Sequence, residues 1–127
     1  MAAATSRKLI NEFVTVETTD ATATEALVIS IPIDWFGRVT AEISAQDAAS
    51  SGGILYGKVS AYISSGGPIA VGTGYDGTAS GTIATAVGTW ITSVSGDSAV
   101  QITGVAARTI GWTVRVTGEI QNYPLSG

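Results

Sequence analysis

The stretch Thr109-Ile110-Gly111-Trp112-Thr113-Val114-Arg115-Val116-Thr117-Gly118-Glu119-Ile120 alternates between two kinds of residue along almost its whole length. Ile110, Trp112, Val114, Val116 and Ile120 fall on one side of an extended chain, and Thr113, Arg115, Thr117 and Glu119 on the other. Successive side chains of an extended backbone point in opposite directions, so a period of two marks a strand with one dry and one wet face. The same residues on a helix would be scattered around its circumference. The segment predicts a half-buried strand and places Trp112 in a core.

Other segments repeat the pattern. Arg38-Val39-Thr40-Ala41-Glu42-Ile43-Ser44-Ala45 alternates strictly, and Leu55–Ile63 turns Leu55, Val59, Ala61 and Ile63 inward. Shorter candidate strands are Phe13–Glu17, Ala26–Ile31, Ile69–Thr73, Thr89–Ser95 and Ala99–Thr103. Turn chemistry separates them at Ser50-Ser51-Gly52-Gly53, Ser65-Gly66-Gly67-Pro68, Tyr75-Asp76-Gly77 and Ser95-Gly96-Asp97-Ser98. Roughly eight short strands at this spacing predict an all-β fold: a single antiparallel β-sandwich, jelly-roll-like, with a small barrel as the alternative. Helix is confined to a turn at Ser44–Ser50 and to the first dozen residues. Thr73–Gly88, rich in Gly, Thr, Ala and Ser, reads as a long loop or an irregular strand.

Composition narrows the function. A chain of 127 residues holds one domain, and 45% hydrophobic against 13% charged residues excludes a disordered tail. The net charge is −4, and the six basic residues (Arg7, Lys8, Arg38, Lys58, Arg108, Arg115) are scattered, with only Arg7 and Lys8 adjacent. A phosphate backbone calls for a concentrated basic stripe, so nucleic acid is not the expected partner. There is no apolar leader and no apolar run of membrane-spanning length, so no membrane partner is expected either. Cysteine and histidine are both absent. Disulfides and thiolate metal sites are excluded, and the commonest general base and metal ligand are missing. Low charge with positive mean hydropathy suggests a surface partly covered by a partner, although core burial also contributes.

Residues 1–12 stand apart from the domain formed by residues 13–127. They are Ala-rich and read either as a frayed terminus or as an N-terminal arm docking on a neighbouring subunit. Arg7, Lys8, Leu9, Ile10 and Phe13 are the contact candidates there, since Leu9, Ile10 and Phe13 give an arm apolar surface to bury. Trp35-Phe36, following Pro32-Ile33-Asp34 at a loop-to-strand junction, is a second candidate anchor for a partner.

Catalytic readings are weaker than structural ones. Gly72-Thr73-Gly74-Tyr75-Asp76-Gly77 matches G-x-G-x-x-G, but the residues after it make a poor helix, and a phosphate cradle needs a helix N-terminus. Asp76-Gly77 reads better as a turn. Acid–base work would need two of the ten carboxylates (Glu12, Glu17, Asp20, Glu25, Asp34, Glu42, Asp47, Asp76, Asp97, Glu119), most of which fall in turns or on wet strand faces. Glu42 and Glu119 share such faces with Arg38 and Arg115, which favours cross-strand ion pairs. No D-x-D-x-D spacing supports calcium. Ser60 near Lys58 lacks any nucleophile motif. The aromatics could form a sugar platform, with core or interface packing as the alternative. No enzyme activity, cofactor or metal is expected.

Two segments carry a family resemblance. Glu17-Thr18-Thr19-Asp20-Ala21-Thr22-Ala23-Thr24 resembles the T-T-D-A-T-P-T opening of a β-sandwich structural domain found in virion proteins of tailed bacteriophages. Ile102-Thr103-Gly104-Val105-Ala106-Ala107-Arg108-Thr109-Ile110-Gly111-Trp112-Thr113-Val114-Arg115-Val116 resembles its V-T-G-x-A-x-x-T-I-x-W-x-x-x-V close. The resemblance spans about residues 17–120, with Ala23 where the family often has proline. It implies a β-sandwich module of tail fibres, appendages and other virion proteins, and it implies no catalysis. On this basis the expected role is a capsid decoration or cement protein, or a small head or tail appendage. It would be assembled in the host cytoplasm, reside in the virion and contact other capsid or tail proteins. A short chain starting at its own Met1, without fibrous repeats, favours this over a receptor- or glycan-binding tail-fibre module. Self-association is expected, with a homotrimer preferred because virions offer three-fold positions.

Overall fold

The computed structural model of the chain describes residues 6–49, 52–71 and 76–122. They form nine strands: β1 Ser6–Thr18, β2 Ala23–Ile29, β3 Trp35–Asp47, β4 Ile54–Ser64, β5 Gly67–Val71, β6 Asp76–Ala79, β7 Val87–Thr92, β8 Ser98–Thr103 and β9 Ile110–Asn122. One 3-10 turn, Gly81–Ile83, precedes β7. The large sheet runs β1-β9-β3-β4-β5, with β6 also pairing β4; the small sheet runs β2-β8-β7. Every pairing is antiparallel. No helix among the described residues is long and apolar enough to cross a membrane.

The expected β-sandwich is therefore the observed one, with nine strands and the chain ends wrapped as in a jelly roll. β1 pairs β9 in one sheet while β2 pairs β8 in the other, so the β1–β2 and β8–β9 connections cross between the sheets side by side. The middle of the chain departs from that scheme, because β4 returns by a hairpin to the sheet that holds β3.

The predicted inward residues of β9, Ile110, Trp112, Val114, Val116 and Ile120, are all buried, as are Leu55, Val59, Ala61 and Ile63 of β4. They meet Ile29, Trp90, Val100 and Ile102 of the small sheet in one core. Each buried indole keeps its N–H satisfied. Trp112 Nε1 donates to Thr18 Oγ1 at 2.9 Å and Trp90 Nε1 donates to the Val59 carbonyl at 3.0 Å, which avoids the cost of an orphaned buried donor.

The motif residues at the two crossings explain themselves physically. Asp20 Oδ1 accepts from the Thr22 N–H at 2.8 Å, a local turn that starts β2. Gly104 packs against this crossing, where an added Cβ would lie 2.5 Å from Thr18 Oγ1 and 2.7 Å from the Asp20 carbonyl oxygen. Only glycine lets the connections touch while Thr18 still receives the Trp112 bond.

Three segments differ from the sequence reading. Residues 6–12 form the first half of β1, which runs through residue 12 without a break and pairs β9 from Ser6↔Asn122 to Thr18↔Ile110. Residues 1–5 of the expected arm lie outside the described residues. The turn expected at Ser44–Ser50 is strand as far as Asp47, with Ser50 outside the described residues. Asp76-Gly77 is strand as well, in register with Lys58 and Gly57. In both cases an available neighbouring strand outweighs weak local propensity.

Candidate functional site

The register of the large sheet assembles its outward side chains into rows. Arg38 of β3 lies opposite Glu119 of β9 and Tyr62 of β4, while Glu42 lies opposite Arg115 and Lys58. Thr40 sits between these rows, opposite Thr117 and Ser60. The register sets these unlike charges opposite one another, but among the described residues the cross-strand ion pairs expected of Arg38 and Arg115 with Glu119 and Glu42 do not close. The ion pair that closes on this face is Arg7 with Glu119, at 3.4 Å. Both groups are well exposed, so the pair is screened and adds little stability.

Apolar side chains flank this charged centre. On β1, Leu9 is 76% exposed and Phe13 64%; on β4, Ile54, Tyr56 and Tyr62 are exposed. Arg115 lies 5.8 Å from the Phe13 ring centre, within cation–π range. Phe36 stacks on Tyr62 with ring centres 5.9 Å apart. A groove beside β4 is lined by Glu42, Ser44, Tyr56, Lys58 and Thr78. Leu9 and Phe13 on β1 are separated from Ile54, Tyr56 and Tyr62 on β4 by the charged rows of β9 and β3.

The sequence candidates divide between this face and the core. Leu9 and Phe13 stand on the outer face, Arg7 pairs there with Glu119, and Lys8 is exposed on the same strand. Ile10, only 7% exposed, belongs to the core. Trp35 and Phe36 part company, because neighbours on a strand point opposite ways: Trp35 packs against the core, and Phe36 joins Tyr62 outside. Tyr56 and Tyr62 fall on the polar side of the strand read from the sequence, and Ile54 lies one residue before its start.

Ser60 Oγ is hydrogen-bonded to Thr40 Oγ1 at 2.9 Å, which leaves it in a cross-strand hydroxyl pair. Of the G-x-G-x-x-G match, Gly72–Tyr75 lie outside the described residues, and Asp76-Gly77 continue as strand, so they do not open a helix. Among the described residues no cluster of three acidic side chains could hold a metal ion.

Among the described residues Asp47 is the buried charge, with its side chain 2% exposed. Its Oδ2 accepts from Thr82 Oγ1 and faces Arg108 Nη1 at 3.5 Å, while Oδ1 accepts from the Ala49 N–H at 2.9 Å. Thr82 Oγ1 in turn accepts from the Gly53 N–H at 3.0 Å. The Thr82 bond and then the Ala49 bond hold this carboxyl below its ordinary range against an upward push from burial, and the Arg108 charge adds the smallest downward pull. These contacts tie three connections together, so Asp47 is a structural clamp. Its partners lie 35 and 61 positions away along the chain, and no local signal marks them.

No family model matches the chain, and comparison with curated proteins finds no match. Among solved structures the chain is similar to the tailspike protein of Acinetobacter baumannii phage AM24, with a TM-score of 0.35 and 15% sequence identity. That likeness covers 97% of this chain and 27% of the tailspike, so the chain spans about a quarter of that protein's length.

Proposed function

We propose that the protein is a structural component of a tailed-phage particle, working by protein–protein contact as a capsid decoration or cement protein or as a small head or tail appendage. The observation that carries this reading is the outer face of the large sheet, where Leu9, Phe13, Tyr56 and Tyr62 stand exposed around a centre of alternating charge. Apolar anchors fill pockets on a partner while paired charges set the docking register. The opening and closing sequence motifs supply the phage context. Self-association is part of the reading, without the three-fold stoichiometry, since virion symmetry offers two-fold positions as well. The protein would be assembled in the host cytoplasm and retained in the virion.

The alternative, a receptor- or glycan-binding module of a tail fibre, draws on the groove in which the exposed Tyr56 ring meets Glu42 and Lys58. Aromatic rings beside polar groups suit sugar faces. Imaging that locates the protein on purified particles, combined with particles lacking it, separates the two readings. Loss of head stability supports decoration. Loss of host adsorption with an intact, stable head overturns it in favour of the tail-fibre module.

A further inference from the structure

The two sheets leave several strand edges open, and they are finished differently. β5 is five residues long, contains Pro68 and slips register against β4; β6 is four residues long. In the small sheet, β2 is interrupted between Glu25 and Leu27, and β7 has six residues. Short, irregular or proline-bearing edges are how sheets avoid pairing with other chains. β1 is neither short, irregular nor proline-bearing, and its edge is guarded by charge alone, at Arg7, Lys8 and Glu12. It is thirteen residues long, pairs β9 without a slip, and among the described residues nothing pairs with its other edge.

Its sequence is also self-complementary in one register. A two-fold axis through the sheet at residue k pairs residue i with residue 2k − i of the second copy and keeps the outer face outward. Centred on Ile10, this sets Lys8 opposite Glu12 of the second copy and Glu12 opposite its Lys8. Ile10 meets Ile10, and Arg7 meets Phe13. The register that would instead match Arg7 with Glu17 is centred on residue 12 and opposes Glu12 to itself. Lys8 and Glu12 lie on the inner-facing side of the strand yet are both exposed, and neither makes a salt bridge among the described residues. A groove lined by Lys8, Ile10, Glu12, Val28 and Ser30 opens along this edge.

We propose that two copies of the chain join by antiparallel pairing of β1 with β1 about Ile10, residues 6–14 of each strand taking part, so that the two large sheets become one. Backbone hydrogen bonds supply the attachment, as in other strand additions, and the two Lys8–Glu12 pairs fix the register. This contact is a property of the chain alone and does not depend on the virion reading.

Sedimentation of the full-length chain tests it. The wild type should sediment as a dimer. K8E and E12K each turn two attractive pairs into repulsive ones at exposed positions, and each should weaken the dimer about tenfold or more with the melting curve of the fold kept. An equimolar mixture of K8E and E12K should form a mixed dimer more tightly than either variant pairs with itself, and the double variant K8E/E12K should recover the wild-type state. A monomeric or trimeric wild type, indifference to both single changes, or a mixture that fails to pair would each overturn the proposal. A dimer that is absent from particles, or particles stable without the protein, would bear on the virion reading alone.

Discussion

β9 and β1 are equally long, paired with each other residue for residue, and yet they read very differently. β9 has a strand on either side, and its inward face is an unbroken apolar series from Ile110 to Val116, resuming at Ile120. β1 has a neighbour on one side only. Its inner side mixes Ile10, Val14 and Val16 with the exposed Lys8 and Glu12, and its outer side carries Leu9 and Phe13. A central strand is constrained by the core along its full length. An edge strand beside a shorter second sheet is constrained only where something covers it, and elsewhere its side chains are free to serve contacts.

That contrast can be broken at graded cost. Trp112→Ala, in the middle of β9, should lower stability by about 3–5 kcal/mol, measured by denaturant unfolding, because a buried ring and its bond to Thr18 disappear together. Ile10→Ala tests the covered part of the first half of β1 and should cost about 2–5 kcal/mol; a neutral result would mean that this half does not pack on the core. Gly104→Ala should cost about 1–3 kcal/mol by pushing the two crossings apart. Leu9→Ala, one residue from Ile10, should stay within about 0.5 kcal/mol in stability while reducing attachment to particles. Equal losses at residues 9 and 10 would erase the distinction between the two sides of the strand.

Acid gives a further test at Asp47, where β3 ends opposite Ile110. Its carboxyl is held below the ordinary range in the folded state, so its stabilising contribution is complete above the unfolded value of about 3.9. It is then lost as pH falls through the lower folded value. Urea midpoints should drop in that window, and Asp47→Asn should be less stable at neutral pH with a flatter acid limb.

The legibility of the molecule follows the same division. The faces of β9, β4 and most of β3 were readable because burial on one side imposes a period of two, whereas the opposition of Arg38 to Glu119 and of Glu42 to Arg115 also needs the register. The first half of β1 was not, because Arg7-Lys8-Leu9-Ile10-Asn11-Glu12 has no alternation; its strand conformation comes from the backbone of β9. β6 is strand because β4 has an open edge beside it, against the turn preference of Asp76-Gly77. The outer face escaped for another reason: its members come from β1, β3, β4 and β9 and meet only through register.

The pairing of the first strand with the last has a kinetic consequence. Partners in the β1–β9 ladder are separated by 92 residues at Thr18 and Ile110 and by 116 at Ser6 and Asn122. Closing such spans before any local reward is slow, which places folding among the all-β domains that take milliseconds to seconds. On the ribosome β1 emerges at least 92 residues ahead of each residue it pairs with in β9. Throughout that interval both of its edges are open, and the strand is most exposed to wrong pairings while the chain is still being synthesised.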